Sequence, residues 1–439
     1  MSEMAQTRNV DIGHMIDENP LTSLQLRVMI LCGIIITLDG YDIQSLALTV
    51  PTLMGEWSLQ RGDFVWAVTA SLFGYGFGAA FIAGLGDRYG RRPILIVAAI
   101  LMGVGSIGTG YVHDMTQLIV WRFLTGVGFG TSVPNCTAIT SEYVPAARRA
   151  LLLTLMYAGV AFGALVAGLV APSIVKAYGW RAIFFIGGVL PLAAAALLYA
   201  GLPESVRFLV AKRPGDPRLA KILAQLAPGV DAGSVRDARA GTERQSITSL
   251  LTPLYRPRTI LLWTIFAFNL FALYYLISWL PALLKGAGWT VSDSQRGGVL
   301  LQAGGIVTGM IVAWCIDKRL TVPAMVTAYL ATALSFGLFI VLPSTGAAWW
   351  LLLFVIGAGT SGTQFALNAL AAEFYPTAIR STGVGWAVGV GRIGAILGPL
   401  SGGIPALAHL STANTLGLLI VPVVLCAAGT MILPRIWRG

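Results

Sequence analysis

The chain has 439 residues, of which 56% are hydrophobic and only 11% charged, and its mean hydropathy is +0.77. A soluble domain carries about 25% charged residues, so a water-soluble enzyme is excluded; a disordered chain, which needs low hydrophobicity and high charge, is excluded as well. The net charge of +10 does not point to nucleic acid, because the charges sit between long apolar runs, and excess Lys and Arg in a membrane protein marks its cytoplasmic loops.

Residues 1–26 read as a cytoplasmic tail of mixed polarity. No cleavable signal peptide is expected: the first apolar run holds two aspartates and no small-residue cleavage site, so it stays as the first span. Twelve apolar segments follow, each long enough to cross a bilayer. They lie near 27–52, 63–85, 93–112, 116–141, 149–174, 180–201, 258–283, 296–316, 321–342, 347–372, 380–404 and 412–434. Six fall in a half spanning 27–202 and six in a half spanning 258–439. The polar stretch 203–257 between them reads as a cytoplasmic linker. With the N-terminus inside, 22 of the 29 Lys and Arg fall on the cytoplasmic side and 5 outside, which predicts that both termini are cytoplasmic. Cys32, Cys136, Cys315 and Cys426 each sit alone in an apolar run. They read as small buried hydrophobes, and no metal site is expected.

The halves repeat. Glu142-Tyr143-Val144-Pro145-Ala146-Ala147-Arg148-Arg149 follows the fourth span, and Glu373-Phe374-Tyr375-Pro376-Thr377-Ala378-Ile379-Arg380 follows the tenth, an offset of 231. Asp87-Arg88 recurs as Asp317-Lys318 at 230, and Trp57 as Trp289 at 232. Several matches at one offset indicate parallel repeats, as in transporters whose halves rock about a central site. The expected fold is an all-α membrane protein of twelve transmembrane helices in two pseudo-symmetric six-helix halves.

The segment Ala83-Gly84-Leu85-Gly86-Asp87-Arg88-Tyr89-Gly90-Arg91-Arg92 resembles the loop motif between helices two and three of the major facilitator superfamily, with Ala83 where Gly is usual. Leu118 to Gly126, with Arg122, resembles the fourth-helix motif. Pro203-Glu204-Ser205-Val206-Arg207-Phe208-Leu209 resembles a motif found after helix six in sugar porters and several organic-ion groups. A narrower resemblance, to the aromatic acid:proton symporters, rests on Asp39-Gly40-Tyr41-Asp42, on Val133-Pro134-Asn135, and on Gly389 to Gly398 with Arg392. The antiporter-type Gly-Pro pattern is missing from helix five, where Gly163-Ala164 stands, although Gly398-Pro399 in helix eleven is similar. These resemblances imply a secondary carrier in the inner membrane, not an enzyme, that imports a small organic acid, a (hydroxy)benzoate for example, by proton symport with alternating access. They also imply that Asp87, Arg88, Arg91, Arg92, Glu142, Arg149, Asp317, Glu373 and Arg380 gate the carrier, latching its outward-open state through charge pairs between helices.

Charged side chains inside a span cost roughly 2.5 to 3.5 kcal/mol or more each. Four remain when every other charge is placed in a loop or interface: Asp39, Asp42, Arg122 and Arg392. At 1.5 Å per residue they lie near one depth, so they can meet near the midplane, where transporter sites lie. Asp39 and Asp42 are spaced i, i+3 and share a helix face. Burial, a second carboxylate and an arginine pull a carboxyl's proton affinity in opposite directions, so either aspartate can carry a coupling proton, with Arg122 as its partner. The alternative is a static ion pair holding helices one and four together. Arg392, whose planar fork suits a carboxylate, is the candidate for the substrate anion.

The seventh span is rich in rings: Phe266, Phe268, Phe271, Tyr274, Tyr275 and Trp279. Phe271 and Tyr275, with Tyr41 and Trp386, are candidates to stack on a planar substrate. Asn135, Asn269, Gln302, Gln364 and Asn368 are mid-span amides that need partners in lipid; two or three of them are expected to line the cavity and the rest to bridge helices. No phosphate-cradling Gly-x-x-x-x-Gly-Lys occurs, so no cofactor is expected beyond the coupling proton. The expected partners are a small organic acid, the proton and the lipid bilayer, without nucleic acid, for a chain working as a monomer. A sugar or polyol:proton symporter of the same superfamily, and an aromatic-acid receptor without net transport, are the rival readings.

Overall fold

The computed structural model describes residues 10–18, 21–213, 215–226, 235–236, 247–317, 320–343, 346–375, 379–404 and 410–437. After a short strand β1 (Val10–Asp11) and α1 (Ile12–Glu18), the first long helix is α2 (Ser23–Glu56). Thr22 and Gln25 start α2 with a reciprocal capping box, which satisfies two of its orphan N–H groups. Then come α3 (Val65–Phe77), continued by a π-turn over Gly78–Ile82, and the short α4 (Leu85–Tyr89). The long helices α5 (Arg91–Gly110), α6 (Met115–Tyr143), α7 (Ala146–Tyr178) and α8 (Arg181–Gly201) follow. The linker carries α9 (Val206–Lys212), α10 (Pro217–Leu226) and β2 (Val235–Arg236). The second set is α11 (Arg256–Gly286), α12 (Val291–Asp317), α13 (Thr321–Val341), α14 (Ala348–Gly357), which a π-turn joins to α15 (Thr363–Phe374), α16 (Arg380–Ser401), α17 (Thr412–Gly417) and α18 (Ile420–Trp437).

Among the described residues, nine helical segments are long and apolar enough to cross a membrane. The other long helices are α2, α6 and α12, with 34, 29 and 27 residues. They hold Asp39, Asp42 and Gln44, Arg122 and Asn135, and Gln302, all of them buried.

The packing repeats. In the first half α2 lies against α7, α3 against α6, and α5 against α8; in the second, α11 lies against α16, α12 against α14, and α13 against α18. The α2–α7 crossing is close because Gly40 and Gly163 face each other's helix. A Cβ on Gly40 would lie 1.9 Å from the Val160 carbonyl oxygen, and one on Gly163 1.8 Å from that of Thr37. The equivalent crossing in the second half has Gly394 against the Ala267 carbonyl oxygen, at 1.9 Å. Small residues let helix backbones approach in lipid, where packing replaces the hydrophobic drive.

The halves meet through α2–α11, α7–α12 and α3–α16. Gln295, in the first turns of α12, donates from Nε2 to the Leu48 carbonyl of α2 at 2.9 Å. Gly168 of α7 packs on Val299, and Gly403, just past α16, packs on Val65 at the start of α3. These contacts gather at the end of the bundle away from the linker. At the linker end the first half has its own apolar core, which includes Met15 and Ile16 of α1, the buried face of α10 (Leu219, Ile222, Leu223, Leu226) and Val235. There β1 pairs with β2 in parallel, Val10 opposite Val235 and Asp11 opposite Arg236. All four cysteines are buried free thiols.

Candidate transport site

The centre of the bundle has two tiers. In the tier nearer the end away from the linker, Arg122 of α6 grips Asp42 of α2 with both arms, NH1 to Oδ1 and NH2 to Oδ2, each at 2.8 Å. Both side chains are almost fully buried, at 1% and 5% exposure. The Ser71 hydroxyl lies 3.4 Å from Arg122 NH2, and the Phe184 ring lies under the guanidinium at 6.0 Å. A planar fork matched to a carboxylate is the strong form of such a pair. Beside it is a cavity of about 20 Å³, bordered by Ser71, Tyr274 and Ser278, which is room for about one water.

One turn nearer the linker lies the second tier. Arg392 of α16 donates from NH1 to the Tyr274 hydroxyl of α11 and from NH2 to the Tyr75 hydroxyl of α3, both at 3.0 Å. Its guanidinium also stacks 4.2 Å over the Tyr75 ring. Tyr75 belongs to the first half and Tyr274 to the second, so this arginine ties the halves together at mid-depth. Asp39 is 4% exposed and lies in the fields of Arg392 and Asp42. Its Oδ1 has no hydrogen-bond partner. The structure therefore separates the two aspartates: Asp42 is clamped, and Asp39, in the field of Arg392, keeps a carboxylate oxygen with no hydrogen-bond partner.

Asn269, Gln364 and Asn368 form a chain across the second half. Asn269 donates to Gln364 Oε1 at 2.8 Å and to the Thr360 carbonyl at 3.2 Å, while its own oxygen accepts from Tyr329 and Thr363 at 3.2 Å. Gln364 donates on to Asn368 at 3.3 Å. Asn269 is thus a buried tie among α11, α13 and α15; Asn368 is exposed and Gln364 half-buried. Gln302 of α12 is 4% exposed, with its Oε1 unpartnered.

Other candidates stand elsewhere. Tyr41 turns away from the centre: its hydroxyl donates to the Ile183 carbonyl of α8 at 3.0 Å, and its ring packs with Leu48 and Ala167. Asn135 uses its amide to bond the Ala83 carbonyl at 3.1 Å and the Thr131 carbonyl at 2.9 Å, tying α6 to the turn before α4. Trp386 lies about 120° around α16 from Arg392, at 100° per residue. It shares its stripe with the exposed Ile393 and Leu397 and meets the Trp263 ring at 6.0 Å, on the face turned to lipid. Phe271 is half-buried in the α11–α16 packing. Tyr275 is 3% exposed with an unpartnered hydroxyl; its neighbour Tyr274 is the ring that meets Arg392. Tyr75, absent from the sequence reading, is the other ring. Neither tyrosine carries a signal in spacing that would single it out.

At the linker end, Arg91 bridges Glu142 and, at 3.3 Å, Asp87. Glu142 also accepts from the Ser205 hydroxyl. Glu204 accepts from the backbone N–H groups of Arg91, Arg92 and Ser205 at 2.8, 3.2 and 2.9 Å. This explains Gly90, whose φ is +107° and whose Cβ would meet Glu204 Oε2 at 2.4 Å. The Pro203–Leu209 segment therefore braces α5 and α6 within the first half. Arg92 donates to the Tyr199 carbonyl, Arg149 donates to the Val144 carbonyl at 3.2 Å, and Arg88 lies over the Tyr89 ring. The expectation is of charge pairs between helices; among the described residues Arg91 pairs α5 with Asp87 of α4 and with Glu142 of α6. The side chains of Asp317, Glu373 and Arg380 lie outside the described residues.

The chain matches the Major Facilitator Superfamily over residues 31–399. It is 36% identical to the 4-hydroxybenzoate transporter PcaK of Pseudomonas putida over 437 residues, 97% of this chain and 96% of that one. It is 35% identical to a gallate transporter of the same organism, over 90% and 88% of the two chains, and 32% identical to a benzoate transport protein of Acinetobacter baylyi, over 90% and 86%. The fold is that of the xylose transporter XylE from E. coli in a partially occluded inward-open form, with a TM-score of 0.72 at 16% identity over 94% and 99% of the two chains. Polytopic helices, twofold packing and these relatives agree: the chain belongs to the Major Facilitator Superfamily, in its group of aromatic acid permeases, and is a multi-pass membrane transporter rather than an enzyme.

Proposed function

We propose that the protein imports a benzoate-like aromatic carboxylate, such as a hydroxybenzoate, together with protons, across the inner membrane. The observation that carries this reading is the Arg392 tier: a guanidinium held by one tyrosine from each half, beside an aspartate with an unpartnered carboxylate oxygen. The substrate carboxylate replaces the tyrosine hydroxyls on the Arg392 fork, because two charged oxygens match the planar fork in parallel, where each hydroxyl offers a single neutral acceptor. That exchange loosens the tie between the halves. Asp39 takes the proton, and Asp42 stays with Arg122 as a fixed pair. The linker end faces the cytoplasm, on the 22-to-5 excess of Lys and Arg on that side. The carrier acts as a monomer and needs no cofactor. The relatives' names, for 4-hydroxybenzoate, gallate and benzoate, support the substrate class.

The test is uptake of labelled 4-hydroxybenzoate into proteoliposomes with and without an inward proton gradient. Protein-free liposomes are the control, because neutral aromatic acids cross lipid unaided. Gradient-driven accumulation above that control is expected, together with its loss in Asp39→Asn. Uptake indifferent to the gradient would remove proton symport from the reading. A thermal shift with sugars and none with aromatic acids would remove the substrate class.

A further inference from the structure

Where α5 and α8 reach the linker end, a second cavity of about 340 Å³ opens, away from the transport site. Three guanidinium groups border it, those of Arg92, Arg213 and Arg218, with the rings of Tyr199 and Phe208. The two acids nearby are already engaged. Glu204 accepts three backbone N–H bonds. Asp216 is chelated by Arg218 through Nε and NH2 at 3.0 and 2.6 Å, and this hydrogen bonding holds its carboxyl down to about 2, so the pair stays ionised at any physiological pH. Arg92 stacks on Tyr199 at 5.4 Å with a buried Nε that has no partner, and Arg213 stacks on Phe208 at 5.8 Å.

The cavity lies where the chain enters and leaves the membrane. The span of α5 begins at Arg91, and that of α8 ends at Gly201. Beyond Pro93 and Ile96 at the cavity, the exposed apolar side chains Val97 and Ile100 continue the same side of α5. A cationic cavity opening onto an apolar track at that depth suits an amphiphile with a negative head. Basic pockets between transmembrane helices bind such headgroups. We propose that this cavity binds the phosphodiester headgroup of an anionic phospholipid, with its acyl chains along Val97 and Ile100.

The experiment is native mass spectrometry of the full-length protein, released from detergent after titration with phosphatidylglycerol or with phosphatidylcholine of the same chains. Phosphatidylglycerol is expected to be retained in preference. Each arginine removed should weaken its retention about fivefold, so the Arg213→Gln/Arg218→Gln variant should lose about 25-fold. The Arg213→Lys/Arg218→Lys variant, which keeps the charge, should retain most of it. Melting curves check that the variants are folded. The single Arg213→Gln, which leaves the Asp216–Arg218 pair intact, carries the test if the double variant does not fold. Equal retention of the two lipids would overturn the proposal, as would undiminished phosphatidylglycerol in a folded variant. Displacement of the lipid by millimolar glycerol phosphate would assign the cavity to a soluble phosphate and overturn the lipid assignment.

Discussion

Two aspartates one helical turn apart have different surroundings, and this predicts different phenotypes. Asp42→Asn leaves Arg122 buried without its counter-charge, which costs about 3 to 5 kcal/mol. A clear fall in melting temperature in detergent is expected, with part of it recovered by adding Arg122→Gln. Asp39→Asn removes a group that makes no ion pair, so melting should hold close to that of the wild type. Gradient-driven accumulation should disappear while exchange of substrate between the two sides of a vesicle persists. If Asp39→Asn still accumulates substrate against its gradient, Asp39 does not carry the proton. Arg392→Lys keeps the charge but loses the planar fork; with hydrogen bonds to charged groups worth about 1.5 to 3 kcal/mol, KM should rise about 10-fold or more. Tyr274→Phe removes one hydroxyl and should change KM far less. The four charges were legible in the sequence because a charge in a span is too costly to be incidental. Tyr75 and Tyr274 were not, because tyrosine is an ordinary residue in a span. Adjacent residues point 100° apart, and only the packed helix decides between Tyr274 and Tyr275.

The existence of the long helices could be read from apolar length alone, and their grouping in two sets from the recurring motifs. What length and composition do not give is rotation about each helix axis. Asn135 and Trp386 show the consequence. Both are conspicuous residues in a span, but Asn135 bonds two backbone carbonyls next to the α3–α4 turn, and Trp386 lies on the lipid-facing stripe of α16. Trp386→Leu should therefore leave substrate KM within about 2-fold, since most surface changes fall within about 0.5 kcal/mol. A 10-fold rise in transport assays would place the ring at the substrate after all. Asn135→Ala should act on stability instead, by about 0.5 to 1.5 kcal/mol for the lost hydrogen bond between α6 and the turn, since the Ala83 carbonyl keeps the Gly86 N–H. The π-turns over Gly78–Ile82 and Ala358–Gly362 were likewise invisible in the sequence, because the spans that lead into them are apolar on nearly every face, so a rotation of about 100° leaves no mark on the pattern.

At the scale of the whole molecule, the contacts between halves described above lie, among the described residues, at mid-depth and at the end away from the linker. Alternating access then requires the Gln295–Leu48 hydrogen bond and the Gly403–Val65 contact to break, while the core at the linker end of the first half moves as one body. The two sides of the α2–α12 contact are close at Gln44 and Gly298, where a Cβ on Gly298 would lie 3.0 Å from Gln44 Nε2. With the four native cysteines replaced by serine, Gln44→Cys and Gly298→Cys can be joined by a short bis-methanethiosulfonate, which makes a reducible disulfide with each thiol and releases methanesulfinate. A ligand shifts the two states only through its different affinity for them, so substrate cannot open a contact that a covalent bridge holds shut. Net uptake should therefore cease on cross-linking and return on reduction. Substrate binding measured by thermal shift should survive, because the Arg392 tier lies on the other side of the bridged contact. Uptake continuing in fully cross-linked protein would mean that the halves do not part at this end, and the rocking mechanism would have to be given up for one in which single helices bend around a fixed α2–α12 contact.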